Sequence, residues 1–310
     1  MNIQNLECSI RDHGIKDFFA YAKERYQIHL NRMAGMPRPW TTDPILHKYR
    51  FTQVFRELDK TTVWFRINVR DVLYNKPEVL LATVLFRLLN RIETGTAIFN
   101  KYAFDELVHA RTPTQIKKAI KNIEHVIIKH NGTGPYVTGA YIITSPQGMT
   151  KLPGVLSIVE KFCLESDWWE WGESLIAGNK TGNVRLENMW NDLKEYEFFG
   201  PFHSYEMVTD LRWTAIMDNA PDINIWANPG PGARRGFNRV MGLDKSDHSL
   251  PRDALIKGMQ MLLEYAHNNS KLWPHNWPQW ELREVEHTLC EFDKYSRVKN
   301  HEGTPRGRYR

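Results

Sequence analysis

Apolar residues in this chain recur mostly at intervals of three and four, the period of helices that bury one face. The clearest case runs from Trp280 to Arg297, where Leu282, Val285, Leu289 and Phe292 fall on one stripe. Glu286, Cys290, Asp293 and Arg297 fall on a second stripe about a quarter turn away, at the rim of the apolar face. Carboxylates fixed there are partly desolvated beside an arginine, which is how proton affinities are tuned for chemistry. The same spacing also describes a solvated, salt-bridged face with no chemical role. Helical periodicity extends over 14–33, 77–90, 114–130, 154–164, 186–197, 204–217, 234–240, 253–267 and 279–298. A further helix is predicted from Thr42-Asp43-Pro44, a capping aspartate followed by proline, through Phe65 to about Asn68. No alternating strand series occurs. The pattern predicts an all-α fold. It forms one helical domain over 1–310, or a two-lobed body of 1–150 and 151–300, with a basic tail over 301–310 that stays mobile unless it folds over a ligand.

Composition narrows the class. Aromatic residues make up 12% of the chain, with 11 tryptophans, so many rings must be buried or stacked on something flat. Cys8, Cys163 and Cys290 are odd in number and lack metal-ligand spacing, which fits a reducing cytoplasm. His287, Cys290 and Glu291 make one helical triplet without a second cluster, so no metal site is expected. The apolar run 79–86 is too short to span a bilayer and no signal peptide is recognised, so no membrane partner is expected. The net charge of +5 is modest, but Arg234, Arg235 and Arg239 lie close together, and Arg297, Lys299, Arg306, Arg308 and Arg310 follow near the end. Such a surface suits a polyanion, and it also describes an ordinary basic surface. There is no P-loop, no Gly-x-Gly-x-x-Gly after a strand and no Gly-x-Ser-x-Gly elbow. A nucleotide-dependent kinase acting alone, a Rossmann enzyme and an α/β-hydrolase are therefore disfavoured.

Three segments carry candidate chemistry. In 193–211 a helix, a tight turn at Gly200 and a second helix make a hairpin whose free amides suit a DNA phosphate, as in helix-hairpin-helix glycosylases. Any helical hairpin with glycine at its turn reads the same way. Asp222 follows Gly200 at roughly the distance where those glycosylases carry a catalytic aspartate. In 222–236, Asn228-Pro-Gly230-Pro-Gly232 precedes Arg234 and Arg235, a loop of free amides backed by guanidinium forks that suits phosphate or pyrophosphate. A tight loop before a basic helix is the plainer alternative. In 38–61, Phe51, Phe55 and Leu58 mark a buried helical stripe, and Gln53, Arg56 and Asp59 recur on another face, where Arg56 and Asp59 make a surface pair if they have no other role.

Taken together, Tyr49-Arg-Phe-Thr-Gln-Val-Phe-Arg56 with Asp59, Phe199-Gly-Pro-Phe with Tyr205-Glu and Asp210-Leu-Arg, Asn228-Pro-Gly-Pro-Gly-Ala-Arg-Arg-Gly, and Glu286-His-Thr-Leu-Cys-Glu-Phe-Asp-Lys294 form an ordered set. This set, spread over about residues 30 to 308, resembles the alpha-glutamyl/putrescinyl thymine pyrophosphorylase superfamily. Relatives of that family include the helical domain of 5-hydroxymethyldeoxyuridine DNA kinases. The resemblance implies hypermodification of thymine in phage DNA on a helix-hairpin-helix glycosylase-like fold, with the target base flipped into a pocket. A separate kinase would pyrophosphorylate 5-hydroxymethyluracil in DNA, and a protein of this kind would replace the pyrophosphate with an amino acid or polyamine. At motif level it implies functional roles for Glu286, His287, Glu291, Asp293 and Lys294, and for Asn228, Arg234, Arg235, Arg50, Arg56 and Asp59. In the expected mechanism arginines near Gly230 and Gly232 neutralise the leaving group, Asp293 or Glu286 accepts the amine proton, and Arg297 holds its neighbour ionised or contacts phosphate. No cofactor is required, and Mg²⁺ on the pyrophosphate is compatible with the scheme. A DNA glycosylase and a non-catalytic DNA-binding partner of a kinase are the competing readings.

Overall fold

The structure, a computed structural model, describes residues 12–100, 102–305, 307 and 308. Cys8, Arg306 and Arg310 lie outside the described residues. In chain order the α-helices are α1 (Asp12–Met33), α2 (Pro44–Lys48), α3 (Lys60–Phe65), α4 (Glu78–Leu89), α5 (Ile92–Phe99), α6 (Ala103–Val108), α7 (Pro113–Asn131) and α8 (Lys151–Glu165). They continue with α9 (Trp168–Asn179), α10 (Leu186–Lys194), α11 (Gly200–Leu211), α12 (Pro231–Met241), α13 (Arg252–Asn268) and α14 (Leu282–Lys299). No strand occurs among the described residues. The one extended pairing there is an isolated antiparallel bridge between Tyr49 and Arg308. The fold is all-α, as the periodicity predicts.

The chain packs as two compact units, residues 1–59 with 223–310, and residues 60–222. The boundaries fall at Asp59 and Asp222, not near residue 150. In the first unit α14 lies against α12, α1 and α13. Glycine lets the backbones touch. A Cβ on Gly236 of α12 would stand 2.0 Å from the Leu289 carbonyl oxygen, and one on Gly14 of α1 would stand 2.0 Å from that of Val240. An aromatic core fills the space beneath. Phe18 meets Trp280 and Phe292 edge-on at 5.9 and 5.7 Å, and Tyr26 meets Trp277 at 4.7 Å. Such offset pairs add to the stability that area burial supplies.

In the second unit α4 is buried from Val79 to Leu89. It carries Arg87 into the core, where the guanidinium is held by Asp210 of α11 and donates to Asn90 at 2.9 Å. A buried cation needs such a partner, because desolvation alone would expel it.

One predicted helix is absent. The segment from Pro44 to about Asn68 is α2, an extended stretch from Tyr49 to Phe55, a 3-10 turn at Arg56–Leu58, α3 and a π-helical turn at Arg66–Arg70. Distant side chains replace the helical hydrogen bonds. Arg25 of α1 donates to the Phe51 and Thr52 carbonyls at 3.1 and 3.0 Å, Glu291 of α14 accepts from Thr52 N at 3.1 Å, and Asp59 accepts from Gln53 N at 3.0 Å. Helices α5, α6 and α9 were not anticipated. Within the described part of the tail, Gly307 is fastened to the extended stretch, its carbonyl accepting from Arg50 N at 3.0 Å.

Candidate functional site

The polar side of α14 divides into two sets. Asp293 leads the first. Its carboxylate is fully buried, accepts from Arg235 Nε at 2.9 Å and Arg239 Nε at 3.0 Å, and forms an ion pair with Arg297, whose Nε lies 3.5 Å away. Arg235 and Arg239 stand one turn apart on α12, and the glycine contact at Gly236 brings that helix close enough for both to reach. The side chain of Arg235 is 39% exposed and that of Arg297 37%, so both are only partly withdrawn from solvent above the buried carboxylate. Glu286, two stripe positions earlier, is half-buried and accepts from Gly230 N at 3.4 Å, at the mouth of α12. Gly232 packs against Cys290, whose Sγ would lie 2.5 Å from a Cβ there. Burial pushes the Cys290 thiol up to about 12, so it is no nucleophile at neutral pH.

Glu291 leads the second set. Burial works against its ionisation, but the ammonium of Lys294 and the neighbouring His287 hold the carboxyl below the usual range. Lys294 is its ion-pair partner. His287 Nε2 lies 2.8 Å from Thr52 Oγ1, and Thr52 also gives its N–H to Glu291. The extended stretch that replaced a helix is therefore the floor of this set. Asp59 ends it. Burial pushes the Asp59 carboxyl up to about 6, against the pull of the Gln53 N–H and of Arg56 and Arg25.

The loop before α12 is built differently from the nest expected of it. One of its amides, Gly230 N, donates to Glu286, and Arg234 spends a guanidinium N–H on the Leu250 carbonyl at 2.6 Å. Asn228 lies half-buried in that loop, and Arg50 is exposed on the extended stretch. An open cavity of about 670 Å³ lies beside Arg239, lined also by Asp17, Glu24, Asp43, Tyr295 and Lys299. Tyr295 donates to Asp43 at 2.6 Å. Among the described residues no group of three or more His, Cys, Asp or Glu is arranged to hold a metal ion, and no helix is long and apolar enough to cross a membrane.

Gly200 and Asp222 belong to the second unit. Gly200 has φ +59 and opens α11, which packs on α10 as a hairpin. Asp222 is buried, and its two carboxylate oxygens accept from Leu186 N at 2.9 Å and Glu187 N at 3.1 Å. Both oxygens thus cap the start of α10. Sequence reasoning missed Arg25, Thr52 and Arg239 as site residues. Arg239 alone gave a signal, one helical turn beyond Arg235.

Comparison with known proteins adds the following. The family described as "5-hmdU DNA kinase, helical domain" matches residues 12–304. A 5-hmdU DNA kinase of Bacillus phage SP10 is 25% identical over 315 residues, covering 94% of this chain and 45% of that protein. The chain thus spans less than half the length of this relative. No solved structure matches.

Proposed function

Because the chain belongs to the family of helical domains of 5-hmdU DNA kinases, we propose that it is a DNA base-modifying transferase of phage thymine hypermodification. In this reading it displaces pyrophosphate from 5-pyrophosphoryloxymethyl-deoxyuridine in DNA with an amine. The observation that carries it is the fan of Arg235, Arg239 and Arg297 around buried Asp293. Preorganised guanidinium groups neutralise the charge that develops as pyrophosphate departs, and a fixed carboxylate beneath them saves reorganisation in the transition state.

Asp293 and Glu286 are the two expected proton acceptors, and Asp293 lies nearer the basic tail. With guanidinium groups on both of its oxygens it serves in this reading as a positioning residue, and the base role passes to Glu286. The amine approaches Glu286 where α12 begins, at Gly230. His287, Glu291 and Lys294 hold the extended stretch and so the position of Arg50 and Arg56 toward DNA. A flipped base and a helix-hairpin-helix descent remain part of the proposal, supported by the α10–α11 hairpin. Mg²⁺ on the pyrophosphate is compatible with it.

A second reading rests on the comparison itself, since the SP10 relative is a kinase of which this chain matches 45%. A helical unit of that kind presents hydroxymethyluracil DNA to a kinase and changes nothing. One experiment separates these readings: mass spectrometry of nucleosides from pyrophosphorylated 5-hydroxymethyluracil DNA incubated with the protein and a pool of amino acids and polyamines. A heavier base supports transfer, an abasic site means glycosylase action, and unchanged but bound DNA means presentation.

A further inference from the structure

The side of Arg239 that Asp293 does not take is turned to a carboxylate from the chain's own tail. Glu302 Oε2 accepts from Arg239 Nη2 at 2.5 Å and lies 2.9 Å from Lys245 Nζ. One oxygen shared by a guanidinium and an ammonium is the arrangement that a phosphate oxygen takes among such groups. These two cations hold the Glu302 carboxyl down at about 2, although much of it faces solvent.

The backbone delivers Glu302 to this position. Helix α14 closes in a Schellman turn, with Glu302 N donating to Arg297 O at 2.7 Å and His301 N to Val298 O at 3.2 Å. The left-handed residue of that turn is His301, at φ +58, where glycine is the residue that fits without cost. Past Glu302 the tail is fastened again, by Gly307 to Arg50 and by the Tyr49–Arg308 bridge. The contact is thus a built feature of the tail, set on the rim of the arginine fan.

We propose that Arg239 and Lys245 form an anion subsite for a phosphate-bearing ligand, and that Glu302 fills it until the ligand displaces the tail. The ligand class rests on the pyrophosphate-displacement reading. Arg235, one turn earlier on α12 and 39% exposed, extends the subsite toward a second phosphate. The phosphate comes either from a pyrophosphoryl group or from the DNA backbone, and two probes distinguish these sources.

Inorganic pyrophosphate and, separately, a short unmodified duplex are titrated calorimetrically into the wild type, Glu302→Gln and Glu264→Gln. The last removes the same charge from an exposed position of α13. Glu302→Gln is expected to bind pyrophosphate about tenfold more tightly than the wild type, roughly the worth of one charge-assisted contact. Glu264→Gln is expected to show no such gain, and Lys245→Gln added to Glu302→Gln is expected to cancel it. A gain for the duplex alone keeps the subsite and assigns it to a backbone phosphate. Equal affinities of all three proteins for both probes overturn the proposal and leave Glu302 a brace, to be seen as a lower melting temperature in Glu302→Gln. Binding is read without turnover. A wild type that transfers nothing while Glu302→Gln still gains affinity overturns the displacement reading and keeps the subsite.

Discussion

Asp293 and Asp59 are carboxylates in one unit with opposite electrostatic settings. Asp293 is ringed by arginines, whereas Asp59 is desolvated and its proton is held up to about 6. In the displacement reading this separates positioning from proton transfer. Glu286→Gln is expected to lower the transfer rate by about 10²–10⁴-fold with DNA affinity nearly intact, the usual span for general acid–base catalysis. Asp293→Asn should instead weaken pyrophosphate binding and lower the melting temperature. Single-turnover rates and melting curves on the same preparations decide it, and the reverse pattern exchanges the two roles. Asp59 carries its own pH signature. A carboxyl whose folded pKa is raised contributes stability below its unfolded pKa, near 4, and loses it as pH rises through about 6. Asp59→Asn keeps an acceptor for Gln53 N and removes the charge. Urea unfolding should find it close to wild type at pH 4 and more stable than wild type at pH 8. Equal offsets at both pH values would remove Asp59 as the titrating group.

At the scale of elements, the meeting of α12 and α14 makes the fan. Gly236→Ala places a Cβ where the Leu289 carbonyl oxygen stands, so one helix must move. Overpacking of this kind costs about 1–3 kcal/mol, and here the lower value would require the backbones to separate easily. We expect the variant to lose that stability in denaturant and to lose pyrophosphate affinity with it, because Arg235 and Arg239 shift relative to Asp293. Retained affinity in a folded Gly236→Ala protein would show that the arginines adapt. Much of this pair was legible in the sequence. Leu282, Val285, Leu289 and Phe292 are all buried as their stripe predicts, and Asp293 lies beside them. The break after α2 was not legible, because the groups that hold it extended, Arg25, Asp59 and Glu291, come partly from both ends of the unit. A sequence window sees only local spacing, and locally Phe51, Phe55 and Leu58 fit a helix. The Pro-Gly loop was read as open amides for the same reason. Its occupant, Glu286, arrives from 56 residues along the chain.

At the scale of the molecule, residues 60–222 form one continuous compact unit, and the first unit is made of the segments before and after it in sequence. Within it Arg87 is held by Asp210, and Asp222 caps the start of α10. A fragment of 60–222 should therefore give a cooperative thermal transition by circular dichroism. A fragment of 1–59 should not, since Arg25 and the extended stretch then lack α14. A non-cooperative melt for 60–222 would mean that the inserted unit depends on its host. The same arrangement imposes an order on biosynthesis. While the ribosome is still translating, 60–222 can fold as soon as it emerges, but the fan and the floor beneath Glu291 must wait for α14, which follows that unit in the chain. Any chain that stops short of residue 282 would carry all of 60–222 but neither Asp293 nor the ion pairs it makes with Arg235 and Arg239.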